Sequence, residues 1–216
     1  MYSPILLFAY NRPFHLRQTI ESLLNNTESS KSDLIIFSDG PNSINDLKKV
    51  NQVREYIRSI EGFKSIKIVE QEKNQGLAKS VINGVTDVLS SNNSVIVLED
   101  DLVVSPYFLK YMNDGLIKYK DQDEVISIHG YTYPVNAELP ETFFLRGADC
   151  WGWGTWRRGW ELFNPDGYYL LNELEKRNLI NEFDFKNSYP FSNMLRAQIK
   201  GNNDSWAIRW YASAFL

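Results

Sequence analysis

Four short apolar runs decide what this chain can fold into: PILLFAY (Pro4–Tyr10), LIIFSDG (Leu34–Gly40), SIKIVE (Ser65–Glu70) and SVIVL (Ser94–Leu98). Short continuous apolar runs such as the first, second and fourth read as buried strands, the pattern of a parallel sheet, and SIKIVE reads as a third strand among them. Helical periodicity fills the gaps. Leu16, Ile20, Leu23 and Leu24 follow Pro13, which suits a first helical turn. Asn45–Ile60 carries Leu47, Val50, Val53, Tyr56, Ile57 and Ile60 along one side. Leu77, Val81, Val85 and Val88 follow a turn at Lys73-Asn74-Gln75-Gly76. Strands alternating with helices of this length make an α/β fold on a parallel sheet. Right-handed crossovers then put every strand's carboxyl end on one edge, where such sheets bind ligands.

The fourth run leads straight into Glu99-Asp100-Asp101. Three adjacent carboxylates repel one another and are costly to desolvate, a penalty that a divalent cation removes. Hard oxygen ligands at a strand end suit Mg²⁺ or Mn²⁺, which keep coordination positions open for phosphates. The competing reading is a solvated acidic turn that ends the strand. Arg12, Asp39, Asn74 and Glu99–Asp101 all follow strand ends, so the topology gathers them on one edge. Taken singly, Asp39 before a glycine and Asn74 also read as turn formers.

Beyond the acids, Ser105 reads as a helix cap with Pro106 at the first position, the helix running to about Tyr119. Val125–Tyr131 and Thr142–Gly147 read as further strands, which makes the sheet mixed. Cys150–Arg158 reads as a loop in which glycines between tryptophans let backbone and flat rings approach a ligand. Aromatic faces stack on the apolar faces of sugars, and a core cluster is the competing role. Trp160–Phe163 is assigned to core, Glu173–Phe185 to a charged surface helix, and Pro190–Lys200 to an amphipathic helix. Asp204 or Ser205 caps a last helix from Trp206. His15 and His129 lack companions for a zinc site; His15 reads as surface, and His129, at a strand end, as a candidate to touch ligand.

Composition narrows the partners. A net charge of −4 gives no electrostatic case for nucleic acid or an anionic membrane surface. The lone Cys150 excludes an internal disulfide framework and fits a reducing, cytoplasmic compartment. No apolar run approaches the length of about eighteen residues that spans a bilayer, so only peripheral association at the inner membrane face stays open. The chain starts inside a strand pattern, unlike a secretory signal, and stops inside a helical one, as a truncated chain would. No linker interrupts it, so a single domain is expected over residues 1–216. All six tryptophans fall between Trp151 and Trp210, which marks two functional halves.

PILLFAYNRP, SDGP, KNQGLAKSVINGV and VIVLEDDLVVSPYFLKYM together resemble the GT-A glycosyltransferases, a Rossmann-like fold. Among these they resemble bacterial family-2 enzymes and, in the acidic segment, animal N-acetylglucosaminyltransferase I. FLRGADCWGWGTW resembles that enzyme's acceptor-side loop, and NNDSWAIRW its catalytic Asp-Trp segment.

The resemblance implies a role for each matched position. Asp39 would accept from a nucleobase, with Arg12 near base or ribose. Asn74 and Lys79 would line the nucleotide pocket, Glu99 and Asp100 would hold sugar and ribose, and Asp101 would ligate Mn²⁺ or Mg²⁺. Residues 1–104 would bind the nucleotide sugar and residues 105–216 the acceptor, through Trp151, Trp153 and Asp149. Asp204 would be the catalytic base, with Asp149 its rival. Where the relative has two acids before its tryptophan, this chain has Asp204-Ser205-Trp206.

The implied function is metal-dependent, inverting transfer of a sugar from a nucleoside-diphosphate donor, by resemblance a UDP-sugar, to a glycan or lipid-linked glycan. A non-catalytic sugar-nucleotide or glycan-binding domain is the alternative. A sugar-1-phosphate nucleotidyltransferase would need a glycine-rich basic loop where Tyr10-Asn11-Arg12-Pro13 stands.

Overall fold

The computed structural model describes residues 2–216. Its first half follows the apolar runs: β1 (Ile5–Ala9), α1 (Pro13–Leu24), β2 (Asp33–Ser38), α2 (Ile44–Ile57), β3 (Ser65–Glu70), α3 (Leu77–Ser91) and β4 (Ser94–Glu99). Then come α4 (Phe108–Lys118), β5 (Ser127–His129), β6 (Trp153–Trp156), α5 (Arg157–Trp160), α6 (Gly167–Lys176), α7 (Ile180–Phe183), α8 (Phe191–Ile199) and α9 (Trp206–Phe215). The strands form one mixed, mainly parallel α/β sheet in the order β3-β2-β1-β4-β6-β5. β1 pairs in parallel with β2 and β4, and β2 with β3. β6 runs antiparallel to both β4 and β5.

β1 and β4 are central and covered on both faces, which is why their sequences are continuously apolar. Ile5, Leu6 and Leu7 are fully buried, as are Val95, Ile96 and Leu98. Burying each such side chain contributes about 1.5–3 kcal/mol. Alternate side chains feed different cores. Ile5, Leu7, Ile96 and Leu98 pack with residues of α1, α2 and α4. Leu6, Phe8, Val95 and Val97 pack with α3 and with Trp206 and Trp210 of α9. A third cluster joins α6, α7, α8 and α9. Among the described residues no helix is long and apolar enough to cross a membrane.

Three local expectations are corrected. Thr142–Gly147 is not a strand; Phe144 and Leu145 are exposed and pair with nothing in the sheet. The place beside β4 belongs to Trp153–Trp156, expected as loop, because all four of its residues are buried. The Trp156 indole N–H donates to the Leu116 carbonyl at 3.0 Å, and the Thr155 hydroxyl to that of Ile126 at 2.6 Å. Finally, α4 starts at Phe108 rather than at Ser105. Ser105 instead accepts from the backbone N–H groups of Tyr107 and Phe108, closing a turn ahead of the helix. The last cap is as expected: the Ser205 hydroxyl accepts from Ile208 N at 3.2 Å.

Candidate active site

A cavity of about 400 Å³ opens at the carboxyl ends of β1, β2 and β4. Arg12, Asp39, Asn74, Glu99 and Asp100 line it, so five of the six sequence-derived nucleotide candidates meet in one place. The sixth, Lys79, lines an adjoining cavity of about 230 Å³ that shares Phe37, Asp39 and Ser80 with the first.

Asp39 builds the floor between the two. Its Oδ1 accepts from the backbone N–H groups of Gly40 and Gln75, both at 2.8 Å, and its Oδ2 from that of Gly76 at 3.1 Å. A carboxylate has about four acceptor positions, so one remains for a ligand. Asn74 is tied to the same loop, donating to the Gly40 carbonyl at 3.0 Å. Gly40 is required there: a Cβ would stand 2.5 Å from the Lys73 carbonyl carbon. Gly76, at φ +78°, turns the chain into α3.

On the opposite wall, Arg12 grips the acids. Its Nη2 lies 2.5 Å from Asp100 Oδ1 and its Nη1 2.7 Å from Asp101 Oδ2. Arg12 was expected at base or ribose, and the structure turns it onto the acid pair, where opposite charge is densest. Asp100 is 1% exposed. Its Oδ2 accepts from Tyr10 N at 3.2 Å, and the Thr19 hydroxyl donates to its carbonyl at 3.0 Å. Its buried Oδ1 touches Arg12 as an ion pair but has no donor in hydrogen-bond alignment. Burial raises the Asp100 pKa, against the opposing pull of Arg12. Glu99 is pushed up to about 7, by burial first and then by the Asp101 and Asp100 charges, while the Trp206 side chain favours its ionised form.

Beyond Glu99 lies the segment expected to face an acceptor. Asp149 Oδ1 accepts from Trp151 N at 2.8 Å, and Asp149 N donates to His129 Nε2 at 3.2 Å. Cys150, between them, has its thiol pushed up to about 12 by burial and then by Asp149 and Glu99, so it is a neutral space-filler. Trp151 is half exposed, but Trp153 is not a surface ring. It is 1% exposed and packs against Trp160, Trp206 and Trp210 at 5.5–5.8 Å between ring centroids. The expectation that Trp153 stacks on a sugar gives way to a core role, because both faces of β6 are covered and Trp153 joins the cluster around Trp206 and Trp210. Asp204 is exposed at the start of α9, two residues from the Trp206 that reaches Glu99, and pairs with Arg209 at 3.0 Å.

The family model "Glycosyl transferase family 2" matches residues 5–186. The chain belongs to glycosyl transferase family 2. Solved structures similar to this family-2 chain include Staphylococcus aureus TarS, at 16% identity over 68% of this chain and 25% of that one, TM-score 0.44. The mannosyltransferase PcManGT from Pyrobaculum calidifontis, in complex with GDP-Man and Mn²⁺, matches at 13% over 59% and 35%, TM-score 0.39. Glucosyl-3-phosphoglycerate synthase from Mycobacterium tuberculosis, in complex with UDP, matches at 11% over 82% and 67%, TM-score 0.42. The family-2 chain thus spans about a quarter of TarS and about a third of the mannosyltransferase. No curated protein matches it.

For a family-2 chain the question at Glu99–Asp101 is whether these residues suit a divalent cation. The three acids do not converge: among the described residues no three His, Cys, Asp or Glu side chains form a metal cage. The acids divide: Glu99 packs toward Trp206, while Asp100 and Asp101, the expected metal ligand, share Arg12. Two carboxylates with a buried, undonated oxygen do fit Mg²⁺ or Mn²⁺, which take one or two protein carboxylates and complete their shells with water and phosphate. Sequence reasoning missed Tyr131 and Tyr133, whose rings pack on Trp151. The alternating aromatics of Tyr131-Thr132-Tyr133, just past a strand end, were the available signal.

Proposed function

We propose that this chain is the catalytic domain of an inverting glycosyltransferase that moves a sugar from a nucleoside-diphosphate donor, UDP before other nucleotides, to a hydroxyl of a glycan or lipid-linked glycan. The observation that carries this reading is the meeting of Arg12, Asp39, Asn74, Glu99 and Asp100 around one cavity at the strand ends. Residues 1–104 form the donor half and residues 105–216 the acceptor half. The free Cys150 accords with a cytoplasmic setting, at the inner membrane face if the acceptor is lipid-linked.

Asp39 has one acceptor position left for a base N–H, and Asn74 holds the loop that frames it. Lys79 borders the adjoining cavity, from which a flexible cation reaches phosphate. Asp100 and Asp101 would hold Mn²⁺ or Mg²⁺, which supplies Lewis-acid stabilisation of the departing diphosphate. Released from the carboxylates, Arg12 would offer its fork of N–H donors to the same oxygens. Inversion needs a base on the far face of the sugar to take the acceptor's proton. Asp204, pinned by Arg209 at the mouth of α9, is our first choice for it and Asp149 the second. Ser205 is excluded because its hydroxyl caps α9.

The deciding experiment is transfer or hydrolysis of UDP-sugars with Mn²⁺, with Mg²⁺ and with chelator. Turnover that chelator abolishes, and that Asp101→Ala loses, supports the proposal. Turnover indifferent to chelator removes the metal. Donor binding without turnover across a broad acceptor panel would favour a binding domain on this fold.

A further inference from the structure

β5 and β4 both run antiparallel to β6, so the chain leaves β5 and re-enters at β6 on the edge that carries Glu99–Asp101. Gly130 N donates to the Gly152 carbonyl at 2.7 Å, which clamps the two ends of that excursion together. A Cβ on Gly130 would stand 2.8 Å from that carbonyl oxygen, so the approach needs glycine. On this clamp stand three rings. Tyr131 and Trp151 are 4.8 Å apart between centroids, Tyr131 and Tyr133 5.1 Å, and Tyr133 and Trp151 5.7 Å.

The corner is held from below. Asp149 fixes Trp151 through its backbone N–H, the Tyr133 hydroxyl lies near the Asp149 carboxylate, and His129 takes the Asp149 N–H. Yet the rings remain 39%, 51% and 47% exposed for Tyr131, Tyr133 and Trp151. Stiffly held aromatic faces left open to water present a preorganised contact surface at little ordering cost. Their surroundings are acidic: Asp149, Glu99 and Asp101 all act on the neighbouring Cys150.

We infer that Tyr131, Tyr133 and Trp151 form the acceptor subsite and that it takes a neutral pyranose of a glycan, stacked on the rings with a hydroxyl directed to Asp149. This rests on the glycosyltransferase reading, whose donor cavity lies beside it. Pyranose C–H faces match the rings, and sugar hydroxyls match the Asp149 carboxylate, whose Oδ1 holds one backbone donor. The Asp149 carboxylate beside the rings repels a phosphate- or carboxylate-bearing acceptor. A bare lipid chain would leave Asp149 facing hydrocarbon without a new partner.

The test is direct binding of a panel of neutral methyl glycosides and short oligosaccharides, each with its phosphorylated and uronic counterpart, to the full chain by calorimetry or ligand-observed NMR. The neutral members bind, and Tyr131→Ala and Trp151→Ala each weaken them roughly three- to tenfold. UDP affinity in the presence of Mn²⁺ stays within twofold in both variants, and melting temperatures stay close to that of the parent. Preference for the charged members, binding untouched by either variant, or equal loss of UDP affinity overturns the subsite. Because the panel needs no donor, failure of UDP to bind sinks the donor assignment alone. Tyr133→Phe removes only the hydroxyl and keeps the ring, so it weakens binding less than either alanine; a larger loss would place recognition at the hydroxyl and overturn the stacking role.

Discussion

Arg12 Nη2 stands 2.5 Å from Asp100 Oδ1, a half-exposed cation reaching down to a carboxylate that is almost wholly buried. The pair is asymmetric. Water can solvate Arg12 but not Asp100, so removing the arginine strands a buried charge. Fully buried pairs lose about 3–5 kcal/mol when one partner is removed; with Arg12 at 42% side-chain exposure the loss for Arg12→Ala should be smaller, about 2 kcal/mol. Mn²⁺ should then stabilise the variant more than the parent, since binding to the native state raises its stability. Thermal melts with and without Mn²⁺ check this, and equal shifts would show that Arg12 and the ion do not share the acids.

Asp39→Ala should loosen the connection between β3 and α3. Three backbone N–H groups lose their acceptor, at about 1–3 kcal/mol for those left buried and unpaired. Hydrogen exchange at Gln75 and Gly76 should rise, and UDP affinity should fall at least tenfold. Unchanged protection at both amides would refute the architectural role.

Two tryptophans two residues apart should behave oppositely. Trp153→Ala empties the centre of an aromatic cluster and should cost about 3–5 kcal/mol. Trp151→Ala, at a half-exposed ring, should change stability by about 0.5 kcal/mol. Denaturant unfolding of the pair measures the difference directly.

His129 predicts a pH dependence. Burial lowers its pKa from the ordinary 6.5, against Asp149, and its Nε2 accepts a hydrogen bond that the protonated ring cannot accept. The unfolded chain therefore binds a proton that the folded chain resists, so stability rises with pH. The contribution is complete above about pH 6.5 and is lost as pH falls below it. Glu99, raised to about 7 by burial, contributes the opposite slope over the same range, so the His129 effect is read as a difference. The gap in melting temperature between the parent and His129→Gln should change between pH 5 and 6.5, and a gap constant across that range would contradict the assignment.

Asp204→Asn and Asp149→Asn separate the two candidate bases. If Asp204 takes the acceptor's proton, its amide should lower kcat by about 10²–10⁴-fold with donor affinity unchanged. Asp149→Asn would then act mainly on acceptor KM. The reverse pattern would transfer the role to Asp149.

The first half of the fold was readable because β1 and β4 are continuous apolar runs covered on both faces, with β2 and β3 outside them less deeply buried. The edge that collects Arg12, Asp39, Asn74 and the acids followed from the strands running parallel. The second half was opaque for a physical reason. Trp153–Trp156 is a strand whose glycine and aromatics mimic a ligand loop, and Thr142–Gly147 is loop with strand-like composition. Period and propensity cannot say which of two such segments finds a neighbour. The pairing of Arg12 with Asp100 and Asp101 was not legible, because sequence spacing says nothing of which charge a long side chain will reach. Trp153 was misplaced because the strand that carries it had gone unrecognised.

The hydrogen bond between Gly130 and Gly152 pinches the neck of a long excursion whose stem is the reversed strand pair β5 and β6. Its far limb is anchored: the Arg146 Nε–H donates to the Phe215 carbonyl and Ala148 is buried in the core that holds Trp153. Residues 131–146 are exposed, so the outer stretch short of Arg146 could change in length or composition while the stem and the sheet order stay as they are.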